Sequence, residues 1–175
     1  MLGKLAGAIK KLNDGEIKAQ LHIYSGSNLK QNQKRKLHDG RNSFLHHAIP
    51  YRELLERYRE SDVAVHVESF DLKNRLLTRL SFSTKIIDCM NSGCAILAIG
   101  PETQGGIAYL KENDAAVCIN RMKEIDSVIG ELMNDTGRIK EYSQKASQLG
   151  QKNHVKETIE KQIRQDFYDI SNACS

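Results

Sequence analysis

The stretch SDVAVHVESFDLKNRLLTRLSFSTKIIDCMNSGCAILAIG, residues 61–100, decides the fold. It opens on a short β-branched run at 61–67, and the polar segment ESFDLKNRLLTRL follows. SFSTKIIDCMNSG (81–93) has a hydroxyl start and a glycine stop, which mark a capped helix. CAILAIG (94–100) is a second, wholly apolar run. Strand, loop, helix, strand is a βαβ unit, and it predicts a parallel pair.

Working back from it, QLHIYS (20–25) reads as a strand ending in the small residues Gly26, Ser27 and Asn28. Residues 28–42 are polar, with a basic run at Lys34, Arg35 and Lys36, and read as a solvated face. SFLHHA (43–48) is a further strand. Pro50 then opens an amphipathic helix over 51–59, with Leu54, Leu55 and Tyr58 on one side. His46 and His47 are neighbours in that strand, so they point to opposite faces and do not share a metal. Leu2, Leu5, Ile9 and Leu12 recur at helical spacing, and Asn13-Asp14-Gly15 stops that helix. A parallel sheet ordinarily supplies a strand ahead of such a helix. The sequence offers none there, so the reading expects a fragment whose N-terminal part, with that strand, lies elsewhere.

Working forward, PETQGG (101–106) is a loop, residues 107–111 form a short helix and AAVCI (115–119) is a last strand. Three helices follow. Ile125, Val128, Ile129 and Leu132 form the stripe of the first. Asp135 caps the second, with Ile139, Tyr142 and Leu149 inward. Val155, Ile159, Ile163 and Phe167 recur along the third, over 154–170. Strands alternate with helices, and most strands are continuous apolar runs. The expected fold class is therefore α/β: a single Rossmann-like domain over residues 1–175, its parallel sheet covered on both faces, with helices added at the C-terminus. In such sheets ligands sit outside the carboxyl ends of the strands.

Composition narrows the function classes. The 175 residues are 39% hydrophobic and 27% charged, with a net charge of +4, which suits a globular domain with an anionic ligand. Aromatic residues make up 6% and tryptophan is absent, so base-stacking platforms and nucleic-acid binding are not expected. There is no run long and apolar enough to span a membrane, and the start is too short and periodic for a secretion signal. Cys89, Cys94, Cys118 and Cys174 form no CxxC pair and read as free thiols of a reducing compartment. Neither a phosphate-binding G-x-x-x-x-G-K-[ST] nor a dinucleotide G-x-G-x-x-G occurs.

The chemistry converges on the central helix. Ser83 or Thr84 can cap it. Its first-turn N–H groups point outward with partial positive charge, and Lys85 adds a full one, a natural seat for phosphate. Asp88 lies one turn on, on the face of Lys85. A carboxylate there accepts two hydroxyl hydrogen bonds, as from the vicinal diol of a ribose. The same residues also make an ordinary capped surface helix, and Lys-x-x-Asp alone does not separate the two.

The runs HHAIPYRELLERYRESDVAVHV, STKIIDCMNSGCAILAIG and GGIAYLKENDAAVCI resemble, in that order and spacing, the C-terminal domain of GT-B-fold glycosyltransferases. The closer likeness is to the retaining, family-4-like group. The resemblance implies a domain that binds a nucleotide diphosphate sugar, with a separate N-terminal domain holding the acceptor glycan or lipid-linked sugar. It implies hexosyl transfer in polysaccharide or glycoconjugate synthesis, with no metal or other cofactor. By position, Asp88 matches the acid that holds the ribose, and Ser83, Thr84 and the following amides match the diphosphate cradle. Ala48 and Pro50 match the loop that meets the base, and Gly26 and Ser27 the small loop facing the nucleotide. The family often carries a sugar-facing glutamate eight positions before the ribose acid. Here that position is Leu80, with Glu68 and Asp71 as alternative carboxylates and no motif naming a catalytic residue. The expected location is the cytoplasm. A peripheral position at the inner face of a membrane stays open through Lys34–Lys36. The alternatives are a sugar-nucleotide epimerase on the same scaffold and a non-catalytic nucleotide-binding or regulatory module.

Overall fold

The computed structural model of the chain describes residues 1–79 and 81–173. Its strands are β1 (Leu21–Ser25), β2 (Ser43–His47), β3 (Val63–Val67), β4 (Ala95–Ile99) and β5 (Val117–Ile119). Its helices are α1 (Leu2–Leu12), α2 (Gln31–Leu37), α3 (Tyr51–Arg59), α4 (Leu72–Thr78), α5 (Thr84–Asn91), α6 (Gly105–Glu112), α7 (Ile125–Met133), α8 (Thr136–Asn153) and α9 (Lys156–Ala173). A 3-10 turn, Met122–Glu124, leads into α7.

Every strand pair is parallel. Leu21 lies opposite Ser43, Val63 opposite Ala95, and Leu97 opposite Val117. β4 is buried along its whole length, which is why its sequence is apolar at every position. Ala64, Ile96 and Ala98 turn to one side and pack with Ile86 and Met90 of α5, Ile107 and Leu110 of α6, and Ala146 of α8. Leu97, Ile99 and Val117 turn to the other side and pack with Leu5 and Ile9 of α1 and Ile129 and Leu132 of α7. Helices thus cover both faces, as the sequence implies. Each fully buried Leu, Ile or Met contributes about 1.5–3 kcal/mol through surface removed from water. The turn from α5 into β4 runs through Gly93, whose φ of +84° is the left-handed geometry a helix end favours in glycine.

Three features depart from the sequence reading. The strands form two sheets, β1–β2 and β3–β4–β5, rather than one. β1 and β3 face each other across a cavity of about 1450 Å³. Residues 28–42, read only as a polar, solvated face, contain α2, a charged helix with no buried residue. The polar segment after β3 contains α4, started by Asp71, whose carboxylate accepts a hydrogen bond from the Asn74 amide at 3.1 Å. Asp135 caps α8 as read, accepting from the Arg138 amide at 2.9 Å. In α9 the stripe of Ile159, Ile163 and Phe167 is exposed rather than packed.

Cys89 and Cys94 are buried free thiols and Cys118 is half-buried, while Cys174 lies outside the described residues. Burial pushes the Cys89 thiol up to about 11, which keeps it protonated and inert. No described helix is long and apolar enough to cross a membrane.

Candidate functional site

The carboxyl ends of β1, β2 and β3 meet at one end of the cavity. Ser83, Lys85 and Asp88 of the α5 segment line it there, with Ala48 after β2 and Glu68 after β3. Side chains separated by 40 residues of sequence thus share one wall. The βαβ crossover brings this about, because it returns every strand in the same direction.

Ser83 occupies the N-cap position of α5 with extended backbone, and its side chain makes no capping bond. Its carbonyl accepts the Ile86 amide at 3.0 Å. The earlier amides keep the partial positive charge of a helix start, and the exposed Lys85 ammonium stands beside them. Thr84 is exposed and lies outside the residues that line the cavity.

Asp88 is half-buried on the cavity wall. Its Oδ1 accepts a hydrogen bond from the Tyr51 hydroxyl at 2.6 Å, which ties the start of α3 to α5. That bond raises the pKa of the Tyr51 phenol above its ordinary value, since ionisation would set two negative charges side by side. The other carboxylate oxygen receives no protein hydrogen bond among the described residues.

His66 was not singled out in the sequence. It is 6% exposed and shares the inward side of β3 with Ala64. Its Nε2 lies 3.1 Å from Glu68 Oε1. Burial lowers the imidazole pKa. Glu68 pulls it up, and the Lys85 charge pushes it further down. The net shift is downward, so His66 is neutral at pH 7 and donates to the Glu68 carboxylate. A histidine at an inward position of an aliphatic strand was the available signal. In sequence it passes for an ordinary strand residue.

Of the remaining described sequence candidates, Gly26, Ser27, Pro50 and Asp71 do not line the cavity. A Cβ on Gly26 would stand 3.4 Å from Ala48 Cβ, so those two loops touch. The Ser27 amide donates to Ser25 Oγ at 3.1 Å, closing a tight turn after β1. Pro50 is the N-cap residue of α3, two positions after Ala48. Asp71 is engaged as the cap of α4. Leu80, where the resemblance puts a glutamate, lies outside the described residues. Among those residues, no group of three or more His, Cys, Asp or Glu side chains could hold a metal ion.

Chemically, the wall offers helix-start amides and one ammonium for an anion, and an anchored carboxylate for hydroxyl groups. A second carboxylate is held by a neutral histidine at the end of β3.

No family model matches this sequence, and no curated protein matches it. The fold is similar to that of WaaG, a glycosyltransferase involved in lipopolysaccharide biosynthesis, with a TM-score of 0.65 at 9% identity. The match covers 87% of this chain and 38% of the WaaG chain, so this chain spans well under half the length of that neighbour. At such identity the likeness shows the fold alone.

Proposed function

We propose that this chain is the donor-binding domain of a retaining, family-4-like GT-B glycosyltransferase, and that it holds a nucleotide diphosphate sugar in the cleft beside α5. One observation carries the reading: the start of α5, Lys85 and Asp88 line one wall at the carboxyl ends of parallel strands. The fold shared with a glycosyltransferase supports it.

In this reading the α5 amides and Lys85 hold the diphosphate, and Asp88, braced by Tyr51, accepts the ribose hydroxyls. As the bond from the sugar to the diphosphate breaks, negative charge grows on the leaving phosphate. The oriented amides and the ammonium stabilise that charge more in the transition state than in the ground state. No metal is needed for that step. In this reading Glu68, oriented by His66, is the carboxylate that faces the donor sugar. The acceptor, a glycan or lipid-linked sugar, would be held by a further domain outside these 175 residues.

Calorimetric titration with UDP-, GDP- and ADP-sugars tests the proposal. Saturable binding of one of them, with no epimerised product, is the expected result. Absence of binding across the panel would favour the regulatory-module reading, for which the aliphatic Leu80 at the glutamate position speaks. Conversion of the sugar without an acceptor would favour the epimerase.

A further inference from the structure

One side of the β1–β2 sheet carries a ladder of four rings. Leu21 and Ile23 turn toward α1, so strand alternation turns His22 and Tyr24 the other way. The parallel register sets His22 opposite Phe44 and Tyr24 opposite His46. His22 stacks on Phe44 with ring centroids 5.0 Å apart, and Tyr24 stacks on His46 at 4.7 Å. The two imidazoles lie 5.3 Å apart with only 4° between their planes. Rings stacked at such distances attract one another, so each imidazole is held in one orientation before any ligand arrives. His46 lies outside the cavity beside α5, and His22 borders it near the amino end of β1, away from the carboxyl ends where the candidate site sits.

Within the ladder, His22 Nδ1 stands 3.0 Å from His46 Nε2, although 24 residues of sequence separate them. His22 is exposed and His46 half-buried, so solvent reaches the pair. Partial burial and the charge of His46 lower the His22 pKa, so this ring is neutral at pH 7. A neutral imidazole carries one N–H and one lone pair. In the free chain one ring donates its hydrogen to the other. Moving that hydrogen to the outer nitrogen of the same ring turns two lone pairs toward each other, with no proton gained or lost. Bonds from a metal ion to imidazole are about 2.0–2.1 Å long. Two such bonds at a right angle place the nitrogens about 2.8–3.0 Å apart, and at the tetrahedral angle about 3.3–3.4 Å. The 3.0 Å between His22 and His46 matches the right angle.

We infer that His22 and His46 form a two-imidazole site for a divalent transition-metal ion that takes its ligands at right angles, nickel(II) or copper(II), with water in the other positions. Imidazole suits these ions, and square or octahedral geometry distinguishes them from tetrahedral zinc. The ion clips β1 to β2 across the ladder. His47 takes no part, because alternation turns it to the other side of β2. The inference rests on the geometry of the ring ladder and does not depend on what the cleft beside α5 binds.

Nickel(II) is the probe, since copper(II) oxidises thiols, and the untagged 175-residue chain is titrated without nucleotide. Nickel is paramagnetic and broadens the NMR signals of nearby nuclei. The ring signals of His22 and His46 are expected to vanish first, well below one equivalent, while those of His154, which packs with Tyr109 on the other half of the molecule, stay sharp. This reading needs no variant, and the amide spectrum reports that the chain is folded. Calorimetry is expected to give one nickel ion per chain, bound more tightly than zinc. His22→Asn and His46→Asn are each expected to weaken binding by more than about 10-fold, because loss even of a group supporting a metal ligand costs about 10–100-fold. His47→Asn is expected to leave it unchanged. Absence of saturable binding, or broadening that reaches all histidines together, would overturn the inference. So would an equal loss in His47→Asn, which would mean ordinary surface histidines, or tighter binding of zinc, which would remove the right-angle geometry. One ion per two chains would assign the metal to a contact between copies and overturn the site within one chain.

Discussion

Gly100 closes β4 beneath the candidate site, and replacing it with alanine couples packing to the site's geometry. A Cβ there would stand 2.8 Å from Glu68 Cβ, 3.1 Å from Ile107 Cγ1 and 3.3 Å from Ile107 Cδ1. Ordinary carbon contacts lie near 3.5–4.0 Å, so the closest pair must separate by roughly 1 Å. Neither neighbour gives way easily. The Glu68 amide is bonded to the Ile99 carbonyl at 2.8 Å, and Ile107 is fully buried. Overpacking of this kind costs about 1–3 kcal/mol. For a chain of this size that lowers Tm by roughly 4–8 °C at the middle of the range. The movement falls on Glu68, so the 3.1 Å contact to His66 lengthens as well. Urea denaturation gives the stability change, and NMR titration of the His66 ring gives the second effect, a further fall in its pKa as the carboxylate withdraws. A stability change below about 0.5 kcal/mol, the scale of neutral surface substitutions, together with an unmoved His66 titration, would refute the packing argument.

Other perturbations bear on single residues. Because the His66 pKa is lowered in the folded chain, the unfolded chain binds a proton more readily just below pH 6.5. Its contribution to stability is whole above that value and is lost as the pH falls through the folded-state pKa. His66→Asn flattens this acid-side slope in pH-dependent urea melts, and an unchanged slope contradicts the assignment. Lys85→Ala weakens nucleoside diphosphate binding by about 1–3 kcal/mol in calorimetry, and equal affinity would remove Lys85 from the diphosphate site. Asp135→Ala removes the carboxylate that accepts the Arg138 amide and costs about 0.5–2 kcal/mol by denaturation. A neutral result would mean that α8 needs no cap.

Much of the fold was legible because its signals are local. β4 is apolar at every position because both its faces are buried, and Gly93 and Asp135 mark helix ends by their own chemistry. The two short helices were not legible. In α4, Leu72, Leu76 and Leu77 are all exposed, so no buried stripe marks the segment as helical. α2 has no buried residue at all, so a charged helix there reads like a charged loop. At the site, Asp88 could be placed on the face of Lys85 from helical spacing alone. Its bond to Tyr51 could not, since it spans 37 residues and depends on how α3 packs against α5. His66 was hidden for a similar reason: burial beside Glu68 is a product of strand alternation and of the close approach at Gly100. The division into two sheets was foreshadowed only by the helix at the start of the chain that lacks a preceding strand.

The account turns on Asp88 as the acceptor of nucleoside hydroxyls in the cleft beside α5. The most direct measurement is the affinity of the chain and of its Asp88→Asn variant for a ribonucleoside diphosphate and for the dideoxy analogue. Loss of a charged hydrogen-bond acceptor predicts a drop of about 1.5–3 kcal/mol for the ribonucleotide and almost none for the dideoxy form. Equal losses for both ligands would show that Asp88 only braces Tyr51, and the donor site would have to be sought elsewhere.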